Sequence, residues 1–382
     1  MKLRALVLLA LVAVSAAAQP ESVRNDPVAP SVVRGWKPAT EGYEMRFPRD
    51  HGSHRDYGTE WWYFTGHLFT GSERFGFELT FFRVGIVPPP RRTASASEWR
   101  LRDIMLAHFA ITDLEDGEFR YYEKVNRSSR FTASAAVDRL DVFNEGWRAH
   151  MMADGTISLT AQDLESKDSL ALSLTPAKPP VINGENGVSV KAEGAGYASH
   201  YYSMTRLEVK GVIGDRGVAK SVSGSAWMDH EFGSSVLRDD QRGWDWFSIQ
   251  LDDDTELMLY QIRKLDGSPD STSSGTFISR GGESIHLAAG DLVLEEKRWW
   301  TSPETGGEYP VSWRVAVPAL DLDLDVEALQ DAQELVTRSS TGVTYWEGMV
   351  GATGRSGGTP VRGRGYVEMT GYAEIFDIAT QP

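Results

Sequence analysis

The stretch YASHYYSMTRLEVKGVIGDRGVAKSVSGSAWMDHE, residues Tyr197–Glu231, decides the fold. Apolar and polar side chains alternate along its first half and again from Val218 onward, which is the pattern of two half-buried strands. Gly214 and Asp215 lie between the two runs. They predict a two-residue type II′ turn, because the first central position of that turn needs φ > 0. The stretch therefore predicts a β-hairpin.

This turn determines which side chains face each other across the predicted hairpin. With it, His200 pairs with Asp229 and Tyr202 pairs with Trp227. Since side chains alternate between the two faces of a strand, all four are expected on one surface and within contact distance. The sequence thus predicts a candidate site made of one carboxyl group, one imidazole and two aromatic rings.

Composition narrows the class of protein. The chain has 382 residues, no cysteine and a formal net charge of −15. A cysteine-free chain has no disulfides, no thiol catalysis and no cysteine-ligated zinc, and its length is enough for two domains with cores of their own. The acidic balance argues against nucleic acid as a partner. The abundance of aromatic residues and glycine favours strands and turns, and the one segment with a helical pattern is Glu327–Val336.

The first eighteen residues have the three parts of a secretory signal peptide. A basic start precedes an apolar run from Ala5 to Val14, and small residues continue to Ala18. Cleavage after Ala18 would release a periplasmic or secreted protein. Residues 19–35, rich in proline and polar side chains, predict an extended lead-in without a core of its own. No later stretch is apolar enough to span a bilayer, so no transmembrane segment is expected after signal cleavage.

An internal repeat indicates two domains of the same kind. Gly243–Arg263 repeats the pattern of a Trp-rich strand, a turn and a second strand seen in Trp61–Arg83, and Val361–Glu368 resembles Val222–Asp229. Two matches in the same order predict duplicated β domains.

The repeat places the domains at residues 36–235 and 236–382. Glu368 is the counterpart of Asp229. It lacks an obvious histidine partner, so the second domain is expected to be structural.

The Trp-rich strand Glu60–Phe64 has apolar residues on both faces. One face is expected to line a barrel and the other to pack against the second domain. Glu60 would then be a buried acid, and Arg83 is expected to pair with it. Arg263 beside Asp245 would play the same part in the second half.

Motifs spread from about Gly58 to Tyr372 resemble the family that groups bacterial carotenoid 1,2-hydratases with the attachment-operon proteins and the predicted secreted hydrolases. The resemblance implies an all-β fold of two tandem lipocalin-like antiparallel β-barrel domains. The matching motifs are Glu60-Trp61-Trp62-Tyr63, Gly66-His67-Leu68, Leu79-Thr80-Phe81-Phe82-Arg83, His200-Tyr201-Tyr202-Ser203, Trp227-Met228-Asp229-His230-Glu231-Phe232-Gly233, Gly243-Trp244-Asp245-Trp246, Tyr345-Trp346-Glu347-Gly348 and Gly365-Tyr366-Val367-Glu368.

The resemblance also implies a site. The acid proposed for the hydratase members corresponds to Asp229, its supporting histidine to His200, and two aromatic positions to Tyr202 and Trp227. The tryptophan and the tyrosine are exchanged in this chain, so the pocket is expected to differ in shape from that of a carotenoid hydratase. The side chains expected to contact a ligand are Trp62, Phe64, Met204 and Glu231.

Two functions follow as hypotheses. In the first, a protonated Asp229 in an apolar barrel donates a proton to an isoprenoid-like alkene, and water or an internal group traps the cation, as in a hydratase or a cyclase-like lyase. In the second, the protein is a non-catalytic binder or carrier of a lipid or hydrophobic metabolite. The resemblance adds an ABC-type exporter as a partner for such a carrier.

Metal and hydrolase chemistry have weaker support in the sequence. His51, His54 and Asp56 are close in sequence, but loops of this kind are usually solvated. His230 and Glu231 are neighbours on a predicted strand and point to opposite faces, and there is neither an HExxH helix nor a Gly-x-Ser-x-Gly elbow. The sequence therefore predicts no metal and no cofactor.

Overall fold

The structure is a computed structural model that describes residues 28–92, 100–235 and 237–376. The predicted signal peptide, residues 1–18, lies outside the described residues. The described chain is nearly all-β and forms two large barrel-like sheets, so the predicted fold class is confirmed. Its one α-helix, α1 (Pro30–Val33), is four residues long. The described chain thus contains no helix of the length and apolarity needed to cross a bilayer.

The first sheet has antiparallel strands in the order β4-β3-β2-β1-β13-β12-β9-β8-β7-β6-β5, with β10 and β11 paired to β12. The strands are β1 (Thr59–Thr70), β2 (Glu73–Gly85), β3 (Asp103–Asp113), β4 (Glu118–Arg127), β5 (Ala133–Ala135), β6 (Asp141–Asn144), β7 (Trp147–Met151), β8 (Ile157–Gln162), β9 (Ser169–Pro176), β10 (Val181–Ile182), β11 (Ser189–Val190), β12 (Ala198–Asp215) and β13 (Val218–Gly233).

The second sheet has the order β17-β16-β15-β14-β23-β22-β20-β19-β18, with β21 paired to β22. The strands are β14 (Gln241–Leu251), β15 (Glu256–Lys264), β16 (Ser274–Ile278), β17 (Ser284–Ala288), β18 (Val293–Thr301), β19 (Glu308–Val317), β20 (Leu322–Ala328), β21 (Glu334–Val336), β22 (Thr344–Ser356) and β23 (Thr359–Thr370). Short 3-10 helices lie at Arg49–His51, Pro89–Arg91, Ala289–Asp291 and Pro318–Leu320.

The two sheets repeat one arrangement of strands. In the first, the path β3-β2-β1-β13-β12 matches the path β16-β15-β14-β23-β22 in the second. This is the duplication that the sequence repeat predicts. The helical prediction for Glu327–Val336 is wrong, because β20 and β21 occupy half of that segment and pair with β22.

Each barrel-like sheet closes around a core of its own. Along β1, Trp62 and Phe64 point inward and are fully buried in a cluster with Met204, whereas Trp61 and Tyr63 point outward toward the second sheet. The alternation of a strand explains both faces, and the predicted division of the Trp-rich strand is confirmed. A separate core fills the second barrel around Trp313 and Trp346.

The β12–β13 hairpin exists, but its turn lies two residues later than predicted. Asp215 pairs with Val218, so Arg216 and Gly217 form the turn, with φ of 49° and 86°. Positive φ at both positions is typical of a type I′ turn. The prediction of a turn at Gly214 and Asp215 is therefore wrong.

A β-bulge between Met204 and Leu207 then changes the pairing by one residue. Ser203, and not His200, lies opposite Asp229, while His200 lies opposite Phe232. Because the side-chain period of a strand is two, a shift of one residue exchanges the two faces. The bulge is the reason that His200 and Asp229 lie on opposite faces.

The segment before β1 covers one end of the first barrel. Residues 28–35 are not the extended lead-in that the sequence predicts, since α1 lies within them and Ala29 packs in a small cluster with Ala192 and Tyr197. The predicted Glu60–Arg83 ion pair is confirmed at 2.9 Å. Arg263 lies 3.0 Å from Asp245 at the matching place in the second barrel.

A candidate active site between the barrels

A cavity lies between the two barrels and not inside either one. Its volume is about 110 Å³, and strands of both sheets contribute its walls. Aromatic side chains make up much of the lining, and five carboxyl groups also border it. The carboxyl groups are Glu78, Asp229, Glu231, Glu347 and Glu368.

Asp229 occupies the wall of this cavity on β13. The Ser203 hydroxyl and the Trp227 indole nitrogen donate hydrogen bonds to Oδ1 at 2.5 and 2.6 Å, and the Tyr201 hydroxyl donates to Oδ2 at 2.5 Å. The Trp246 indole of the second barrel donates to the Tyr201 hydroxyl at 3.1 Å. A carboxyl group has about four lone-pair positions, so these donors leave one position, on Oδ2, for a proton.

Burial determines the charge of Asp229. The side chain is almost completely removed from water, which raises the pKa of Asp229 to about 7, although the hydrogen bonds from Ser203, Tyr201 and Trp227 act in the opposite direction. An acid with this pKa exists in both protonation states at neutral pH. It is therefore able to donate a proton and to take one back.

Glu231 and Lys191 form an ion pair beside Asp229. The Lys191 ammonium lies 3.1 Å from the Glu231 carboxylate and above the Tyr260 ring, 4.0 Å from its centroid. Ser199 also donates a hydrogen bond to Glu231. Lys191 is the one lysine or arginine among the described residues that line the cavity. Its positive charge is thus already compensated.

Three further acids border the same cavity, and we call Glu78, Glu347 and Glu368 the carboxyl cluster. Glu347 and Glu368 are directly opposite each other on β22 and β23. Burial raises the pKa of Glu78 to about 7 and that of Glu368 to about 8, and raises the pKa of Glu347 well above its ordinary value. Repulsion by Glu78 and Glu368 raises the pKa of Glu347 further, and repulsion by Glu78, Asp229 and Glu231 raises that of Glu368. Burial therefore favours the protonated form of each of the three acids.

Hydroxyl groups bind part of the carboxyl cluster. Tyr63 donates to Glu347 Oε1 at 2.7 Å, and Thr80 donates to Glu78 Oε1 at 2.8 Å. The second oxygen of each of these two carboxyls, Oε2, is buried and has no hydrogen-bond partner among the described residues.

A chain of polar groups connects Glu78 with Glu123, which is partly exposed. The Tyr345 hydroxyl lies 3.3 Å from Glu78 Oε1 and 2.6 Å from His108 Nδ1, and Ser340 joins His108 Nε2 to the Glu123 carboxylate at 2.8 and 2.6 Å. Burial lowers the pKa of His108 to about 3, so the ring is neutral. Donation by Ser340 to Glu123 makes Nε2 the protonated nitrogen, and Nδ1 then accepts from Tyr345.

The structure brings only part of the predicted site together. Trp227, Asp229 and Glu231 lie on the outer face of β13, and the last two border the cavity. Glu368 of the second domain, which was expected to be structural, borders the same cavity as Asp229.

Five predicted site residues lie elsewhere. Trp62, Phe64, Tyr202 and Met204 are buried in the core of the first barrel, and His200 is stacked on Tyr43 with Nδ1 3.1 Å from the Gly187 carbonyl oxygen. The predicted contact of His200 and Tyr202 with Asp229 is wrong, since the bulge places them on the opposite face.

The residues that take their places were present in the same motifs. Tyr201 and Ser203 alternate with the predicted His200 and Tyr202. A prediction with the correct strand register would have placed Tyr201 and Ser203 beside Asp229. Glu347 belongs to the Tyr345-Trp346-Glu347-Gly348 motif. Because β22–β23 repeats the β12–β13 hairpin, the duplication is the signal that could have identified Glu347.

One group of described residues meets the proximity requirement of a metal site, namely His54, Glu60 and His230. Their ligand atoms already bind one another, with Glu60 2.8 Å from His54 and 3.0 Å from His230. Arg83 donates to the same carboxylate, and Asp50 lies 2.9 Å from His54 Nε2. A metal dication beside the Arg83 guanidinium would be repelled. The group is therefore an ion-pair network that fastens the segment before β1, and Asp56 has no part in it.

The fold and the site define a two-barrel, lipocalin-like protein with a cavity rich in carboxyl groups between its barrels. The sequence profile of the AttH-like family matches residues 38–372. The chain belongs to the AttH-like family, and the predicted resemblance is confirmed.

Solved and curated relatives agree with this assignment. A crystal structure described as an AttH protein of Nitrosomonas europaea is 34% identical, covers 88% of this chain and 99% of its own, and has a TM-score of 0.78. Kievitone hydratase from Nectria haematococca is 16% identical, with coverage of 89% and 98% and a TM-score of 0.67, which shows a shared fold. The dehydratase asqC of Emericella nidulans is 22% identical over 276 residues, 68% of this chain and 75% of that protein.

Proposed function

We propose that this protein is a lyase of the hydratase or dehydratase type, with Asp229 as its proton donor. The observation that carries the proposal is a buried carboxyl with a pKa of about 7, bordering a cavity lined with aromatic rings. Two relatives are named as a hydratase and a dehydratase, which supports the same class of reaction.

The reaction is written with Asp229 in its protonated form. The proton on Oδ2 moves to one carbon of a C=C bond, whose π electrons form the new C–H bond and leave a carbocation on the other carbon. Water adds to that carbon and returns a proton to the Asp229 carboxylate. Dehydration is the same sequence in reverse. The proton balance closes at one residue, so no co-reactant besides water is needed.

The surroundings of Asp229 favour a cationic transition state. Trp61, Tyr63 and Trp246 line the cavity, and each aromatic face stabilises a nearby cation by about 1–2 kcal/mol when water is excluded. Tyr201, Ser203 and Trp227 hold the carboxyl group in one orientation and stabilise the carboxylate that remains after donation.

The size of the cavity supports a short substrate. Its volume of about 110 Å³ is below the ~150 Å³ of a dry apolar cavity that holds benzene. A branched alkene of about five carbons, or the matching tertiary alcohol, is the class that this space favours. A carrier of long lipid chains has less support, because packed side chains occupy both barrel cores.

Turnover with and without the acid tests the proposal. Short branched alkenes incubated with the protein in D₂O should gain deuterium and a hydroxyl group, measured by mass spectrometry. Asp229→Asn keeps the size of the side chain and should lower the rate by about 10²–10⁴-fold. Equal product from the two proteins would remove Asp229 as the donor.

Export is a separate part of the proposal. The basic start, apolar run and small-residue site up to Ala18 support a cleaved signal and a periplasmic or secreted protein. Intact mass measurement of protein from the native host would give an amino terminus at Gln19. The partnership with an ABC-type exporter has only the family resemblance in its support.

A further inference from the structure

The carboxyl cluster has more hydrogen-bonding capacity than the protein uses. Glu78 Oε2 and Glu347 Oε2 are buried, border the cavity and have no partner among the described residues. An unpartnered polar atom in a buried site costs free energy unless a ligand or water satisfies it. The two oxygens therefore mark a place where a hydrogen-bond partner is missing.

The chemistry of the walls indicates which donor fits. An ammonium group supplies three N–H donors and no acceptor, which matches acids that have free oxygens. Tyr63 contacts Glu347, Tyr345 contacts Glu78, and Trp246 lies opposite Glu368 in the sheet. Aromatic residues therefore lie beside all three acids of the carboxyl cluster. Aromatic rings together with carboxylates are the combination that binds organic cations.

A metal ion fits the carboxyl cluster less well than an organic cation. Ligand atoms that share one ion would all lie within 4.8 Å of one another, and in the described chain only His54, Glu60 and His230 meet that limit. The three acids are thus spread over a space larger than one ion. Lys191 does not neutralise the carboxyl cluster, because it is already paired with Glu231.

We propose that the carboxyl cluster binds the ammonium group of a small organic amine. The amine site shares its cavity with Asp229. Only the identity of the substrate rests on the proposed function: a lyase with this amine site would act on a short alkene or alcohol that carries a primary amine. The ammonium lies against the unpartnered oxygens of Glu78 and Glu347, Glu368 adds a further carboxyl group nearby, and the C=C bond lies toward Asp229.

Proton release distinguishes this binding mode from simple filling of the cavity. Burial favours the protonated forms of the three acids, and a bound cation favours their ionised forms. Binding of an ammonium group should therefore release protons and strengthen as pH rises. The other titratable groups that border the cavity are Asp229, Glu231, Lys191, His108, Tyr63, Tyr201, Tyr260 and Tyr345.

Calorimetry with two matched probes tests the proposal on the full chain. 3-Methylbut-2-en-1-amine and 3-methylbut-2-en-1-ol have the same shape, and only the amine carries a charge. At about pH 8 the amine should bind at least about tenfold more tightly than the alcohol. Its binding heat should differ between two buffers with different ionisation enthalpies, which reports proton release. The affinity for the amine should rise about tenfold between about pH 6 and pH 8. Equal affinities, no binding of the amine, or binding without proton release would overturn the proposal.

Variants locate the effect. Glu347→Gln should weaken amine binding by at least about tenfold and leave alcohol binding within about twofold. Glu283→Gln makes the same substitution at an exposed position and should bind both probes like the wild type. An unchanged amine affinity in folded Glu347→Gln would remove the cluster from the site. Should that variant not fold, Glu78→Gln takes its place, and the wild-type comparison of the two probes decides without any variant.

The two proposals fail separately. Asp229→Asn tests turnover, and it should keep the preference for the amine over the alcohol. If Asp229→Asn loses turnover and the wild type binds amine and alcohol equally, the lyase proposal stands and the proposal of an amine site is rejected.

Discussion

Two opposing influences act on the carboxyl group of Asp229. Three hydrogen-bond donors favour its charged form, whereas removal from water favours its neutral form. Burial dominates, and the pKa rises to about 7. The three donors therefore stabilise the Asp229 carboxylate that forms after the proton has been donated.

The first prediction concerns the pH dependence of the reaction. Hydration needs protonated Asp229, so its rate on a short alkene should fall as pH rises through about 7. Initial rates measured in H₂O buffers from about pH 5 to pH 9 should decrease with the pH dependence of a single ionising group. A rate that is constant or increases across pH 7 would contradict the assignment of Asp229 as the donor.

Arg83 gives a second prediction at the scale of single residues. It is 2% exposed, and its guanidinium donates to the carboxylates of Glu60 and Asp103 and to the carbonyl oxygens of His54 and Tyr57. Arg83→Met leaves Glu60 buried without its cation. It should lower the free energy of unfolding by about 3–5 kcal/mol, measured by urea denaturation.

The control for Arg83 is an arginine in an exposed ion pair. Arg314 pairs with Asp323 and Glu295 on the surface of the second barrel. Arg314→Met should leave the unfolding midpoint near that of the wild type. Similar losses in the two variants would show that Arg83 does not have a special structural role.

At the scale of secondary structure, the β12–β13 hairpin shows both the reach and the limit of sequence reasoning. Alternation identified the two strands and the partnership of Asp229 with Trp227, because a period of two is visible in the residue order. The bulge after Met204 was not visible. Nothing in the local sequence marks it, and its partners come from the other barrel.

Those partners explain why the bulge forms. Gln250 of β14 donates to the carbonyl oxygens of Thr205 and Ala226 at 2.8 and 2.9 Å, and Arg206 donates to the buried carboxylate of Glu256 at 2.5 Å. Residues at the bulge thus contact the second barrel. A long-range contact decides the faces of the strand, so the sequence could identify Asp229 but not its neighbours Tyr201 and Ser203.

The turn of the same hairpin gives a third prediction. Gly217 has φ of 86°, and a Cβ atom there would lie 3.2 Å from the Lys167 side chain. Gly217→Ala should therefore lower the free energy of unfolding by about 1–2 kcal/mol. Gly146 has open space around it and no positive φ, so Gly146→Ala is a matched control that should change little. Equal midpoints of thermal unfolding for the two variants would contradict the turn assignment.

At the scale of the whole molecule, duplication explains the position of the cavity. Equivalent strands of the two barrels place Asp229 on β13 and Glu368 on β23, and both face the space between the sheets. The repeat was readable from the sequence, and so was the equivalence of the two acids. That they share one cavity depends on how the barrels pack, which the sequence pattern of either barrel does not contain.

The collected acids make the stability of the whole protein depend on pH. Glu78, Asp229 and Glu368 have folded pKa values of about 7, 7 and 8, above their ordinary values of 4.5, 3.8 and 4.5. The folded chain therefore binds more protons than the unfolded chain between those limits. By linkage, their contribution is complete below about pH 4 and is lost as pH rises through 7 and 8.

Buried histidines act in the opposite direction at lower pH. Burial lowers the pKa of His51, His67 and His108 from 6.5 to between about 3 and about 4, so below pH 6.5 the unfolded chain gains protons that the folded chain does not. The two effects offset each other in that range. Above pH 6.5 these three histidines no longer offset the acids, and the melting temperature should fall from there to about pH 9.

Substitution of Glu368 isolates the contribution of one acid to this fall. Glu368→Gln cannot ionise, so its melting temperature should decline less steeply with pH than that of the wild type. At about pH 9 the variant should gain on the order of 2–4 kcal/mol relative to its difference at about pH 5. Glu283→Gln, exposed on the surface, should keep the wild-type slope. Scanning calorimetry across the range provides the measurement, and parallel curves for wild type and Glu368→Gln would mean that Glu368 is already ionised in the folded protein.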